Sequence, residues 1–326
     1  MDKIKEVKEK TLSIGNVNVS PPTFLAPIAD ISDSIFRQIV KRFGGVGLVF
    51  SEMISSDALT RGCEKTKLML RFEEEERPIF FQIVGKDPER MAMAAKMIED
   101  IGADGLDINM GCPSKNVTKT GGGSALLNDL PLAGRIIKRV RKSISIPLTV
   151  KIRAGWNENS LVYNEIGKIA QEEGAQAVFF HGRTRKQMYS GTVNYNWIAD
   201  LKSRLNIPVI GNGDIVDRET LLKMLETKCD GIMIARGAIK KPWIFHSLLE
   251  DRDVEVEKLI EIIEAQFKKL VEFYPENLAK HKMKLFLSWY SRSLPHGKSI
   301  RLKLNDAKTT EEVAEILVKY KSDYYD

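Results

Sequence analysis

Short apolar, β-branched segments alternate eight times with stretches of helical periodicity along residues 23–235. The predicted strands cover residues 23–29, 46–52, 79–84, 105–110, 147–153, 177–181, 208–212 and 231–235. The predicted helices between them include residues 88–101, 131–142, 161–173 and 218–226. Eight such units predict an α/β fold in which the strands close into a parallel (β/α)8 TIM barrel.

An open, doubly wound sheet is the alternative fold, and it usually places a glycine-rich turn directly after the first strand. Here the first predicted strand runs instead into the polar segment DISD at residues 30–33. Strand patterns stop near Lys241, and the turn residues Pro275, Pro295 and Gly297 divide the rest of the chain. Helices are predicted there at residues 259–273, 278–292 and 310–320. We therefore expect a barrel domain over residues 1–244 and a small all-helical domain over residues 245–326.

The composition, with 43% hydrophobic and 29% charged residues, is that of an ordinary globular protein. No apolar run approaches the roughly 20 residues of a membrane span, and the charged N-terminus does not resemble a secretory signal. We therefore expect a cytoplasmic protein without a membrane segment, and a monomer without a protein partner. Three cysteines without CxxC or histidine-rich spacing predict neither a disulfide framework nor a metal site.

Positive charge is concentrated near the C-terminus of a chain whose formal net charge is +6. No acidic residue lies between Glu276 and Asp306, whereas that stretch holds seven lysines and arginines. They are Lys280, Lys282, Lys284, Arg292, Lys298, Arg301 and Lys303. A stretch that carries only positive charge favours a polyanionic partner, and the alternative is a basic surface without a partner.

Functional residues of a parallel barrel stand at the carboxyl ends of its strands. The fourth predicted strand ends in the run DINMGCP at residues 107–113, which places Cys112 just beyond the strand. A thiol, with an ordinary pKa of about 8.5, is a suitable proton donor. We therefore predict a catalytic role for Cys112, and the alternative is a buried, inert cysteine. The glycines at 121–123 either close over a ligand or form a plain turn.

Cationic side chains follow the fifth and sixth predicted strands. Lys151 and Arg153 share one face of the fifth strand by its period of two. They require an anionic partner or a charged cofactor, and the alternative is a pair of ion bridges to carboxylates such as Glu52 or Asp107. The sixth strand ends in HGRTR at residues 181–185.

The loops after the seventh and eighth strands are the usual phosphate site of such barrels. They hold NGD at residues 212–214 and ARG at residues 235–237. Small residues allow the backbone to approach a phosphate, and Arg236 adds positive charge. The sequence therefore predicts that a phosphorylated cofactor or substrate binds here.

Taken together, these segments resemble the tRNA-dihydrouridine synthase family over about residues 23–245. The matching segments, in the family's order, are APIA at 26–29, SEM at 51–53, QI at 82–83, DINMGCP at 107–113, SALL at 124–127, KIR at 151–153, HGRTR at 181–185, NGD at 212–214 and PWIF at 242–245. Lys280-His281 and Trp289-Tyr290 resemble the family's short motif in its C-terminal helical domain.

The resemblance implies FMN on the barrel, NADPH as reductant and uridine in tRNA as substrate. It implies that hydride passes from reduced flavin N5 to C6 of uracil, and that Cys112 protonates C5. The residues it implies for FMN are Pro27, Ile28, Ala29, Gln82, Lys151, His181, Asn212, Gly213, Asp214, Ala235, Arg236 and Gly237. The candidate substrate contacts are Asn109, Arg153, Arg183, Lys280, Lys282, Lys284 and Arg292.

The sequence departs from the family pattern at three places. Ile28 replaces the usual methionine, Asp30 replaces the usual glycine, and residues 239–241 replace a glycine-containing turn. Two alternatives stay open at this point. One is another FMN barrel oxidoreductase that acts on a small molecule, and the other is a non-catalytic RNA-binding protein.

Overall fold

The computed structural model describes residues 3–325, with side chains described for residues 3–323, and it confirms the closed barrel. A short hairpin of β1 (Leu12–Ile14) and β2 (Val17–Val19) comes first. The eight barrel strands that follow pair in parallel in chain order, and the last closes on the first. They are β3 (Thr23–Leu25), β4 (Leu48–Ser55), β5 (Ile79–Val84), β6 (Gly105–Met110), β7 (Leu148–Arg153), β8 (Ala177–His181), β9 (Val209–Asn212) and β10 (Gly231–Ile234).

Helices cover the outside of the barrel and form the C-terminal region. They are α1 (Lys3–Glu9), α2 (Ser34–Phe43), α3 (Ser56–Thr60), α4 (Glu64–Leu68), α5 (Pro88–Asp100), α6 (Lys115–Thr118), α7 (Leu130–Arg141), α8 (Tyr163–Glu172), α9 (Tyr195–Arg204), α10 (Arg218–Glu226), α11 (Arg236–Lys240), α12 (Ile244–Glu250), α13 (Val256–Phe273), α14 (Glu276–Tyr290), α15 (Gly297–Asp306) and α16 (Thr310–Tyr325). None of the helices in the described part of the chain combines the length and the apolarity that crossing a membrane requires.

Local sequence explains where the barrel helices begin. The Asp87 carboxylate accepts the backbone N–H of Arg90 at 2.9 Å, and Pro88 occupies the first turn of α5. Asp129 caps α7 in the same way, through the N–H of Leu132 at 3.0 Å. An acidic cap satisfies an otherwise unpaired N–H and favours the helix dipole. The loops at the carboxyl ends of the strands therefore have fixed ends.

The hairpin, which the sequence did not reveal, closes the N-terminal end of the barrel. Its strands β1 (Leu12–Ile14) and β2 (Val17–Val19) are antiparallel. Leu12, Ile14 and Val19 are buried against the apolar side chains that fill the lower barrel. Aromatic rings make up much of that layer. The ring centroids of Phe24 and Phe50 each lie 5.0 Å from that of Phe179 in edge-to-face geometry.

The C-terminal helices pack against the α2 side of the barrel. Phe36 of α2 stacks on Phe286 of α14 with ring centroids 5.6 Å apart. The ring centroids of Trp243 and Tyr290 lie 6.1 Å apart, and both rings are buried. The predicted boundary at residues 244 and 245 falls at the start of α12, and it stays a prediction. Helix α15 is not among the predicted helices, because Pro295 and Gly297 are residue types typical of turns.

Candidate active site

Cys112 lies on a loop that the chain fixes at several points. The side-chain oxygen of Asn109 accepts the backbone N–H of Gly111 at 3.1 Å and that of Cys112 at 2.8 Å. The hydroxyl of Ser124 donates to the Cys112 carbonyl at 2.9 Å. Arg153 donates through Nε to the Gly111 carbonyl at 2.9 Å. The backbone of the loop that carries the thiol is therefore held by side chains from three different segments.

The glycine run belongs to this arrangement and is not a free lid. Gly123 has φ of +59°, and a Cβ there would lie 2.9 Å from the Cys112 carbonyl oxygen. Glycine adopts this backbone conformation without strain, and it has no Cβ to obstruct the close approach. The run consequently packs the turn that contains Ser124 directly against the Cys112 loop.

Burial raises the pKa of the Cys112 thiol, and this outweighs the N–H of Ser114 and the charges of Arg153 and Lys151, which lower it. A raised thiol pKa keeps Sγ protonated at neutral pH. A proton donor requires this form, whereas a nucleophilic cysteine requires the thiolate. The environment of Cys112 therefore suits general acid chemistry.

A buried polar chain joins the ends of β5 and β6. Gln82 donates to the Asp107 carboxylate at 2.7 Å and accepts from the Asn109 amide at 2.7 Å. Thr149 donates to the other Asp107 oxygen at 2.6 Å. These contacts fix the orientation of the Gln82 amide and extend to Cys112 through Asn109. Burial raises the pKa of Asp107 to about 6, although its hydrogen bonds and Lys151 oppose the change.

Lys151 points towards the end of β9. Its ammonium group donates to the Asn212 side-chain oxygen at 3.1 Å. Burial, followed by repulsion from Arg153, lowers its pKa to about 8. Neither Lys151 nor Arg153 forms an ion bridge to Glu52 or Asp107 among the described residues. Lys151 bonds to Asn212 and Arg153 to backbone carbonyls, so that alternative is wrong. A lysine ammonium has three donors, and among the described residues only one of them has an acceptor.

Arg153 and Arg183, two candidate substrate contacts, are buried within the protein. Arg153 donates to the carbonyls of Thr184 and Met188 at 2.9 and 2.7 Å, in addition to Gly111. Arg183 forms an ion pair with Asp214. These contacts hold the loops that follow β6 and β8. Direct contact of either arginine with a substrate stays a prediction.

His181 lies at the end of β8, in surroundings that favour its uncharged form. Burial, together with the surrounding positive charges, lowers its pKa well below the usual value. Its Nε2 lies 3.3 Å from the guanidinium of Arg183. A neutral imidazole accepts or donates a hydrogen bond without adding charge to the barrel mouth, the opening at the carboxyl ends of the strands, which is already positively charged.

The loops after β9 and β10 lie side by side, as the phosphate prediction requires. Asn212 donates to the Met233 carbonyl at 2.8 Å, and Asp214 pairs with Arg236 at 2.9 Å. The side chain of Arg236 is 48% exposed. The guanidinium carbon of Arg236 lies 4.9 Å from the ring centroid of Tyr189. Tyr189 is a half-exposed residue that the sequence analysis did not predict at the site. Arg236 is therefore the accessible cation of these two loops.

The loop after β3, residues 26–33, contains the predicted flavin-lining residues Pro27, Ile28 and Ala29. The N–H of Ala26 donates to the Ile234 carbonyl at 2.9 Å, which places the loop beside the end of β10. Ser32 closes it by accepting the N–H of Ile28 at 2.9 Å. Asp30 has φ of +63°, which explains why a family glycine fits this position.

The predicted RNA-contacting residues do not form one uniform surface. Arg292 is exposed, whereas Lys280 and Lys284 are partly buried and donate to the carbonyls of Lys308 and Ala307 at 2.6 and 3.0 Å. Lys282 is only 9% exposed and forms an ion pair with Asp33 of the barrel at 2.8 Å. Lys282 therefore faces the barrel, and its assignment as a surface RNA contact is corrected.

Two of the cavities in the described part of the chain lie outside the barrel mouth. The larger, of about 480 Å³, is lined by Glu73, Glu74, Glu75 and Glu272, among others, between α2 and α13. Its carboxylates disfavour an anionic ligand. The smaller, of about 300 Å³, lies near Arg42 and Lys258. We place the candidate active site at the mouth, because the convergent polar groups and shifted pKa values are there.

Comparison with known proteins identifies close relatives. A model of the dihydrouridine synthase family matches residues 24–324. The chain is 36% identical over 321 residues to a probable tRNA-dihydrouridine synthase of Rickettsia prowazekii, covering 95% of this chain and 97% of that protein. It is 37% identical over 302 residues to tRNA-dihydrouridine synthase B of Pasteurella multocida, covering 90% and 91% of the two chains.

Solved structures share the barrel at low sequence identity. Histamine dehydrogenase from Rhizobium sp. 4-9 superposes with a TM-score of 0.61 and 12% identity, over 81% of this chain and 51% of that one. A 2-naphthoyl-CoA reductase gives a TM-score of 0.60 and 16% identity, over 76% and 53%. This chain thus spans about half the length of these two proteins. Likeness at this level shows the fold alone.

Proposed function

We infer the function from one premise, that the chain belongs to the dihydrouridine synthase family. We propose that it is a tRNA-dihydrouridine synthase, which reduces the C5–C6 double bond of uridine in tRNA with FMN as cofactor and NADPH as reductant. The observation that carries the proposal is the position of Cys112: Asn109 and Ser124 fix its loop at the barrel mouth, and its thiol, whose pKa is raised by burial, lies near the charges of Arg153 and Lys151.

The side chains at the mouth fit FMN by their chemistry. Gln82 keeps one N–H and one acceptor lone pair beyond its contacts with Asp107 and Asn109. Two donors of Lys151 have no acceptor among the residues that the structure describes, and a buried ammonium of this kind requires acceptors. The isoalloxazine ring is rich in acceptors and has one N–H. Arg236 and the backbone of Gly213 and Gly237 would hold the phosphate.

When bound and reduced, FMN supplies the hydride that the uracil ring takes up at C6. The chain's own residues provide the rest of the chemistry. Cys112 holds a proton at Sγ and gives it to C5, and its raised pKa keeps the proton in place until then. Asn109 and Ser124 hold the loop that aims the thiol. The ammonium of Lys151 offsets negative charge that develops in the mouth.

The helical region would bind the RNA. A uridine inside a folded tRNA reaches a barrel mouth only when its base leaves the stack. The enzyme must therefore grip the phosphate backbone while the base is extruded. The exposed Arg292, Lys298 and Lys303 supply positive charge on α15 and beside it for this purpose.

An anaerobic titration tests the proposal. The protein is reduced with NADPH, unmodified tRNA is added, and the visible absorption of the flavin is followed. We expect rapid reoxidation by unmodified tRNA, and none by fully modified tRNA or by free uridine. Reoxidation by free uridine or an enone without tRNA would instead indicate a small-molecule reductase. A colourless protein that binds tRNA would indicate a non-catalytic RNA-binding protein.

A further inference from the structure

We propose that Lys282 is a positioning residue, through which the helical domain fixes the shape of the loop at residues 26–33 and thereby the affinity for FMN. The inference rests on the proposed function, because the loop matters as part of a flavin site. Lys282 would then contact the loop of the barrel at residues 26–33, and not RNA at the protein surface.

Lys282 on α14 reaches across the junction to both ends of a single turn. Its ammonium donates to the Asp33 carboxylate at 2.8 Å and to the Asp30 carbonyl at 3.0 Å. Asp33 is 7% exposed, so the ion pair is buried at both partners. The hydroxyl of Tyr274, from the end of α13, donates to the same Asp33 oxygen at 2.8 Å. Two residues of the helical region thus converge on one barrel carboxylate.

The turn transmits any displacement of these contacts to Ile28. The N–H groups of Ile31 and Ser32 donate to the Ile28 carbonyl at 3.2 and 2.9 Å. Asp30 lies within this closed turn in a left-handed conformation, and its N–H donates to the Glu52 carboxylate. Asp33 ends the loop as the cap of α2. Because Lys282 holds Asp30 and Asp33 together, it sets the geometry of the segment between them.

Charge makes Lys282 hard to replace. Asp33 and Glu52 face it from the barrel, and the Glu52 pKa is raised by burial and by Asp33. Without the ammonium, the two carboxylates would repel each other in a poorly solvated space. We expect the loop to move in order to expose them, which removes Ile28 and its neighbours from the mouth.

The test is the dissociation constant of FMN, measured by quenching of flavin fluorescence on titration with the full-length protein freed of flavin. We expect Lys282→Met to weaken FMN binding about tenfold. Lys282→Arg should restore part of the affinity, because it keeps the charge. Tyr274→Phe, which removes one hydrogen bond to Asp33, should give a smaller loss and serves if Lys282→Met fails to fold.

Lys269→Met is the matched control. Lys269 also links the helical domain to the barrel, through Glu75 at 2.9 Å and through Gln38, but it does not touch the loop. We expect its FMN affinity to stay within about twofold of the original. All titrations are made well below each variant's melting temperature, so that general destabilisation does not enter.

The outcomes separate the inference from the proposed function. If the original protein does not bind FMN, the proposed function fails. If it binds FMN and Lys282→Met binds equally well, only the positioning role is overturned. An equal loss in Lys282→Met and Lys269→Met would also overturn it, since domain docking in general would then be responsible. Weakened tRNA binding with unchanged FMN binding would restore the surface role of Lys282.

Discussion

Replacing Asp107 by asparagine should stabilise the folded protein at neutral pH. Asp107 is fully buried at the end of β6, and burial raises its pKa from the ordinary 3.8 to about 6. Each tenfold change in an acid dissociation constant is worth about 1.4 kcal/mol, so keeping this carboxylate ionised costs about 3 kcal/mol of folding free energy.

The sign follows from proton binding. The folded protein holds the Asp107 proton more tightly than the unfolded chain does. The contribution of Asp107 to stability is therefore fully present below pH 3.8 and is lost as the pH rises through about 6. The Asp107→Asn variant has no such loss. Its advantage should grow from about 0.5 kcal/mol at pH 4 to about 3 kcal/mol at pH 7.

Hydrogen bonding at the site allows the substitution. The oxygen of the new amide can accept from Gln82, as the carboxylate does at 2.7 Å. Its NH₂ group then faces the Thr149 hydroxyl, which can turn and donate to the Leu106 carbonyl, 3.5 Å away. Gln82 and Thr149, the two groups that bond the carboxylate, therefore each keep a partner, so the ionisation term should dominate.

Urea unfolding of both proteins between about pH 4 and pH 7, followed by tryptophan fluorescence, measures the difference. Asp217→Asn is the control, because the N–H and hydroxyl of Thr220 lower the Asp217 pKa and its pH dependence should have the opposite sign. A difference for Asp107→Asn that is the same at every pH would refute the reasoning. So would a variant that is less stable than the original at pH 7.

Three further predictions concern the proposed reaction. Cys112→Ala should lower turnover by about 10²- to 10⁴-fold in single-turnover assays, whereas Cys63→Ala, an exposed control, should not; turnover of the original protein should fall at alkaline pH as the thiol loses its proton. Asn109→Ala should lower turnover by about 10²-fold with tRNA affinity unchanged, because it frees the Cys112 loop; unchanged turnover would exclude this positioning role. Replacing the exposed Arg292, Lys298 and Lys303 by alanine should reduce the salt dependence of tRNA binding by about one unit of slope for each phosphate that the variant no longer binds, and an unchanged slope in filter-binding assays would place the RNA surface elsewhere.

Much of the barrel could be predicted from sequence, because parallel strands buried on both faces are continuous apolar runs. The runs that became β5, β6 and β8 were predicted at their observed bounds. The first strand was predicted to reach residue 29 but ends at Leu25. The cause is the hydroxyl of Ser32, which turns the chain back on Ile28, and apolar residues alone do not indicate such a turn.

The candidate site was predictable in location and less so in contacts. A residue at the end of a barrel strand must lie at the mouth, so Cys112, Lys151 and His181 could be placed from their order alone. Which atoms they contact depends on folding. Lys282 shows the limit, since a lysine in a basic run is usually solvated, and only the tertiary structure brings it to Asp33. Helix α15 shows a second limit. Gly297 is its first residue because a Cβ there would lie 1.7 Å from the Ser291 carbonyl oxygen, and this close packing cannot be read from the sequence.

The N-terminal hairpin has a consequence for the order of events. Leu12, Ile14 and Val19 fill the lower end of the barrel in the described part of the chain, and the phenylalanine layer above them leaves the mouth as the way in. Under the proposed function, the reductant and the extruded nucleotide must then use the same opening. Each would have to depart before the other could enter. The enzyme would alternate between its two partners, with the flavin keeping the reducing equivalents in the interval.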